Sequence, residues 1–117
     1  LVIEPTEALT VIDVNTGKFD GRNADREKTF LKTNLEACAE IARQLILRNI
    51  SGIIIIDFIN LCEKDNRNII QDTMKKYLAA DPVKAVFVEF TGLDLMEVTR
   101  KKIKKPLHEI LKGERNA

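Results

Sequence analysis

Ser51-Gly52-Ile53-Ile54-Ile55-Ile56-Asp57-Phe58-Ile59-Asn60 runs four consecutive isoleucines straight into a carboxylate. β-Branched residues without polar alternation read as a strand, and one of this composition is expected to be covered on both faces in the middle of an α/β sheet. An acid at its end lies where the strand emerges, at the edge where open α/β sheets hold ligands. Asp57 is therefore the first candidate functional residue.

Upstream, Ala8-Leu9-Thr10-Val11-Ile12-Asp13-Val14-Asn15 is a second apolar strand that delivers an acid near its end. One long helical pattern separates the two. Strand, helix and strand in that order form a crossover with the strands parallel. Parallel strands emerge at one edge, so Asp13 and Asp57 converge if the strands are neighbours. Two carboxylates at one edge suit Mg²⁺, a hard cation held by oxygen, with Mn²⁺ able to replace it. Acids that merely end strands are a structural alternative for the same pattern.

The chain has 117 residues, enough for one domain with a real core and too few for two. Apolar residues make up 44% and charged ones 32%, a globular balance that argues against disorder. Net charge is only +1, so attraction for nucleic acid has to come from local patches. Beginning at Leu1 and already in strand-like sequence, the chain reads as a piece of a longer protein. There is no leader-like segment and no apolar run of about 18 residues, the length a membrane span needs. Cys38 and Cys62 are isolated and His108 is the one histidine, so a zinc site within the chain is not expected and reduced thiols in the cytoplasm are.

In chain order, Leu1 to Glu4 and Ala8 to Val14 flank the turn Pro5-Thr6-Glu7 as an antiparallel hairpin. Residues 15–26, with Gly17 and Gly21, have loop composition. Lys28 to Arg48 follows as an amphipathic helix with Leu31, Leu35, Cys38, Ala42 and Leu45 on its inner face, roughly 30 Å long. A second helix is predicted from Arg67 to Ala80, with Ile70, Met74, Tyr77 and Leu78 inward and Asp81-Pro82 ending it. Lys84 to Phe90 and Leu93 to Thr99 read as strands around Thr91-Gly92. A last helix begins at Pro106, with Leu107, Ile110 and Leu111 on one side and Gly113 as its stop. The expected fold is α/β, a mixed sheet with packed helices in the order ββαβαββα.

Several stretches resemble the ribonuclease E/G family. They are Thr6-Glu7-Ala8-Leu9-Thr10-Val11-Ile12-Asp13-Val14-Asn15, Thr33-Asn34-Leu35-Glu36-Ala37 with Glu40-Ile41-Ala42-Arg43-Gln44-Leu45, Ile55-Ile56-Asp57-Phe58-Ile59, and Gly92-Leu93-Asp94-Leu95-Met96-Glu97-Val98-Thr99-Arg100-Lys101. They cover nearly the whole chain in the family's order. What the resemblance implies is a DNase I-like catalytic subdomain over residues 1–117, cut from a longer chain, of a Mg²⁺-dependent endoribonuclease acting on single-stranded RNA in RNA processing and decay. Cleavage would proceed by attack of metal-activated water on the phosphate. In the family, the acids at the positions of Asp13 and Asp57 hold the metal, and the amide at Asn15 orients the first acid. Lys84 stands where the family carries a basic residue. The parent family adds an RNA-binding domain, a 5′-end sensing region and a cysteine pair sharing zinc between subunits, so the remaining domains of the parent and a homo-oligomer are implied partners. This chain departs from the pattern at Asn60, where an acid is usual, and at Asp94, where glycine is.

Arg100, Lys101 and Lys102, with Lys104 and Lys105, form the densest basic run and are candidates for RNA binding, since cations that neutralise phosphates give salt-dependent affinity. Aromatics total only 5%, too few for base stacking to be the main source of that affinity. On its own the fragment is expected to bind RNA weakly and to cut it slowly or not at all. A phosphoacceptor receiver domain would explain Asp13, Asp57 and Thr91 with Lys104 or Lys105, but it needs helix, strand and helix between the two acids. A dinucleotide site needs a glycine pattern that Gly17 and Gly21 do not supply. A non-catalytic RNA-binding or assembly module is the more serious alternative.

Overall fold

The computed structural model describes residues 1–6, 8–14, 26–59, 61 and 63–102. Their elements are β1 (Val2–Pro5), β2 (Leu9–Asp13), α1 (Arg26–Leu47), β3 (Gly52–Asp57), α2 (Lys64–Ala79), β4 (Ala85–Phe90) and β5 (Met96–Arg100). The five strands lie in the order β1-β2-β3-β5-β4. β2 and β3 are parallel neighbours and every other pair is antiparallel, so the fold is the expected mixed α/β sheet. The helix expected from Pro106 onward, with Leu107, Ile110, Leu111 and His108, lies outside the described residues, as does the loop carrying Gly17 and Gly21.

Local chemistry sets the connections. In the hairpin turn the Thr6 hydroxyl donates to the Leu9 carbonyl at 2.6 Å and accepts from the Leu9 amide at 3.1 Å, which closes the turn from its own side chain. α1 ends where Asn49 takes a positive φ of 50°. There the Ile50 amide donates to Leu45 O and the Asn49 amide to Ile46 O, the pair of bonds that satisfies the last helical carbonyls. Gly52 follows with φ of 85°, a conformation that costs a glycine little, and turns the chain into β3.

The isoleucine strand is not covered on both faces. Ile54 and Ile56 are fully buried, whereas Ile53 is 42% exposed, and β2 and β5 alternate in the same way. α1 and α2 pack against each other on a single face of the sheet. Ile12, Ile54, Ile56, Met96 and Val98 form one core there with Cys38, Ile41, Leu45, Ile70, Met74 and Leu78. Each of the Ile, Leu, Val and Met side chains contributes roughly 1.5–3 kcal/mol by leaving water. The connectivity is the reason the expectation failed: β2 to β3 through α1 and β3 to β4 through α2 step the same way across the sheet. Right-handed crossovers in one direction lay both helices on one face, so among the described residues no helix is carried to the second. Val2, Val86 and Val88 remain half-exposed on that side.

The helix faces also shift. The buried stripe of α1 runs through Phe30, Asn34, Ala37, Cys38, Ile41 and Leu45, with Ala42 only partly covered. Tyr77, expected inward on α2, is 39% exposed.

At the edge where β3 begins, Arg100 ties two connections to the end of β5. Its Nε donates to Asp81 Oδ2 at 2.8 Å and a terminal nitrogen to Asp81 Oδ1 at 3.1 Å. The other terminal nitrogen donates to Asn49 Oδ1 and to Ile50 O, both at 3.2 Å. The paired side chains are 1% and 3% exposed. A planar fork on a carboxylate is the geometry that makes such a buried pair tolerable.

Candidate metal centre

Val14 and Phe58 are buried at 6% and 4% exposure. Because successive strand residues alternate in direction, this sends the residues just before them, Asp13 and Asp57, out of the opposite face. The two acids are partners in the parallel ladder. Neighbouring strands stand about 4.8 Å apart and residues in register point the same way, so both carboxylates leave one face of one edge side by side. The Val14 amide, donating to Asp57 O at 3.0 Å, adds a rung beyond them.

Partial burial, and then the negative charge of Asp13, hold the Asp57 carboxyl above its ordinary value. Two like charges fixed in this way would be stabilised by a shared dication, the donor set being hard oxygen throughout. No group of three or more His, Cys, Asp or Glu side chains occurs among the described residues. The pair fits Mg²⁺, which takes one or two carboxylates and keeps several waters, better than zinc, which favours four ligands rich in Cys and His. Cys38 is no rival ligand: burial pushes its thiol up to about 12, so it stays protonated. Asn15, expected to orient Asp13, lies outside the described residues, as do Asn60 and Cys62.

Other groups collect at the same edge. Met96 pairs with Ile56, which carries the β4–β5 turn there. In that turn Asp94 stands at φ of 61°, the region glycine enters most readily, at the position where the resemblance leads one to expect glycine. Asp94 is salt-bridged to Arg67 at 2.8 Å. The same guanidinium donates to Leu61 O at 2.9 Å and lies 5.6 Å from the centre of the Phe90 ring. Arg67 thus links the start of α2 to the turn; polar residues at a helix start read as solvated from sequence, and no spacing marked this one out. Asn34, on α1, is buried against Ile59 and was also missed as a site residue, although it sits inside a stretch that carries the resemblance.

The basic candidates lie elsewhere. Gly52 pairs with Arg100, so Arg100 is at the far end of β3 from Asp57, roughly 17 Å along the strand. Its guanidinium is committed to Asp81, which removes it from any RNA-facing set. Lys84, Lys101 and Lys102 are exposed, and the Lys101 amide donates to Lys84 O at 2.8 Å, holding those two lysines side by side at that far end. Lys104 and Lys105 lie outside the described residues. Among the described residues no helix is long and apolar enough to cross a membrane.

A family model described as the Ribonuclease E/G family matches residues 1–103. Among curated relatives, ribonuclease E of Nostoc sp. is 46% identical over 110 residues, covering 94% of this chain and 16% of the relative. Ribonuclease G of Escherichia coli is 44% identical over 115 residues, covering 97% of this chain and 23% of the relative. Ribonuclease G of Haemophilus influenzae is 44% identical over 111 residues, with 95% and 22% covered. The chain spans about a fifth of the length of these relatives. A sheet edge with two register-paired acids, within a match of this extent, leads to one conclusion: the chain belongs to the ribonuclease E/G family.

Proposed function

We propose that this chain is the catalytic part of a Mg²⁺-dependent endoribonuclease that cleaves single-stranded RNA in the cytoplasm, working within a longer and oligomeric parent protein. The observation that carries the reading is the register pairing of Asp13 with Asp57 on the open face of β2 and β3. Their carboxylates would hold Mg²⁺, which when bound supplies Lewis acidity toward a phosphate oxygen and acidifies water. Asp13 and Asp57 fix where that charge sits. Their strands are locked by the ladder and by buried Val14 and Phe58 behind them, so little reorganisation is left for the moment of reaction. Asn15 is the residue proposed to orient Asp13.

Lys84, Lys101 and Lys102 support the nucleic-acid part of the reading, as an exposed basic group at the ends of β4 and β5, on the opposite edge of the sheet from the acids. Their separation from the acids suits an extended strand that crosses the sheet more than a compact ligand. With no other RNA-binding element among the described residues, the isolated chain is expected to bind RNA weakly and cut it slowly.

The test is cleavage of single-stranded RNA by the full-length protein over a range of Mg²⁺ concentrations. Asp13→Asn and Asp57→Asn should each abolish cleavage and leave RNA binding largely intact, because the metal acts on the transition state. Near-normal cleavage in both variants would leave the RNA-binding module as the surviving reading.

A further inference from the structure

Asn34 lies in the interior of α1 and is only 1% exposed. Asparagine is a poor helix former, and a buried amide is retained only where its donor and acceptor are both satisfied. One backbone residue does both. Asn34 Nδ2 donates to Ile59 O at 2.8 Å, and Asn34 Oδ1 accepts from the Ile59 amide at 2.9 Å. The side chain thereby gives Ile59 what a neighbouring strand would give it, just past the end of β3 at Asp57, where the ladder runs out.

The consequence falls on Asp57, two residues earlier. Its carbonyl is held from one side by the Val14 amide, and the chain leaving it is held from the other by Asn34. Between these anchors Phe58 and Ile59 are both 4% exposed, so the segment cannot swing outward without uncovering them. A ligand held on a backbone fixed at both ends loses little freedom on binding a cation; a shift of the segment would carry the carboxylate away from Asp13.

We propose that Asn34 is a positioning residue: its paired hydrogen bonds to Ile59 fix the end of β3 so that Asp57 meets Asp13 in the geometry a shared divalent cation requires. This rests on the metal reading given above. Asn34 touches neither cation nor substrate, and its effect passes through the backbone of residues 57–59.

The test is Mn²⁺ affinity of the full-length protein, read by electron paramagnetic resonance of free Mn²⁺, for wild type, Asp57→Asn, Asn34→Ala and a stability control, Ile70→Ala. Ile70 is fully buried on α2 in the same core, and its aliphatic side chain makes no hydrogen bond to residues 57–59. Asn34→Ala should weaken the site that Asp57→Asn removes by about tenfold, the lower end for residues that support metal ligands. Ile70→Ala should lower the melting temperature and leave that affinity unchanged. Should Asn34→Ala fail to fold, Asn34→Gln keeps a neutral donor and acceptor but sets them one methylene further out, and it should weaken Mn²⁺ binding in the same direction. Wild-type affinity in whichever Asn34 variant folds, with the site lost in Asp57→Asn, would overturn the proposal and leave the metal reading standing. Equal loss in Asn34→Ala and Ile70→Ala would also overturn it, as a stability effect. Affinity unchanged in Asp57→Asn would remove the metal reading itself.

Discussion

Asp13 and Asp57 are ladder partners on adjacent parallel strands, and the charge of Asp13 adds to burial in raising the Asp57 pKa. An acid whose folded pKa is raised binds more protons in the native state than in the unfolded one. Stability is therefore lost as pH climbs from the ordinary carboxylate value of 3.8 through the raised value. In chelator-treated protein near neutral pH, Asp57→Asn should melt slightly higher than wild type, and the difference should vanish below the ordinary value. The carboxylate is exposed, so the gain should stay under the roughly 4 °C that corresponds to 1 kcal/mol or less. Thermal melts across the acid range check this, and Mg²⁺ should close the gap by stabilising wild type alone. A variant less stable than wild type at neutral pH in chelator would show that the two acids do not oppose each other.

Arg100 should behave as part of the scaffold. Arg100→Ala leaves Asp81 buried without its partner, and breaking such a pair costs about 3–5 kcal/mol. Arg100→Lys should recover little, because an ammonium cannot reproduce the fork that spans both Asp81 oxygens. Urea denaturation measures the loss; a change within 1 kcal/mol, about what an exposed pair is worth, would contradict the burial of this pair.

Lys84, Lys101 and Lys102 should show the opposite profile. Changing all three to Ala should leave stability nearly unchanged and flatten the dependence of RNA affinity on salt, by about 0.7 in slope for each single-strand phosphate that is no longer neutralised. Binding measured at several salt concentrations decides it. An unchanged slope would put the phosphate track on another surface.

The element order through β5, the parallel pairing and the convergence of the two acids were legible in the sequence, because a helix between two apolar strands leaves few topologies. The open face was not. Four isoleucines in a row carry no alternation, so Ile53 and Ile54 look alike until the face that both helices cover is known. Arg100 was misread for a related reason: in a basic run it resembles Lys101, and its partner Asp81 is distant in sequence. Asn34 gave no signal of its own in a helix, since its two bonds reach a backbone twenty-five residues away.

The central claim is that Asp13 and Asp57 together form one divalent-cation site. Mn²⁺ titration of the full-length protein, wild type against Asp57→Asn, tests it most directly. The account predicts a site in wild type that is severely weakened in the variant, because an amide keeps the shape of the carboxylate but not the charge that offsets dehydration of the ion. Identical Mn²⁺ binding in the two proteins would contradict it.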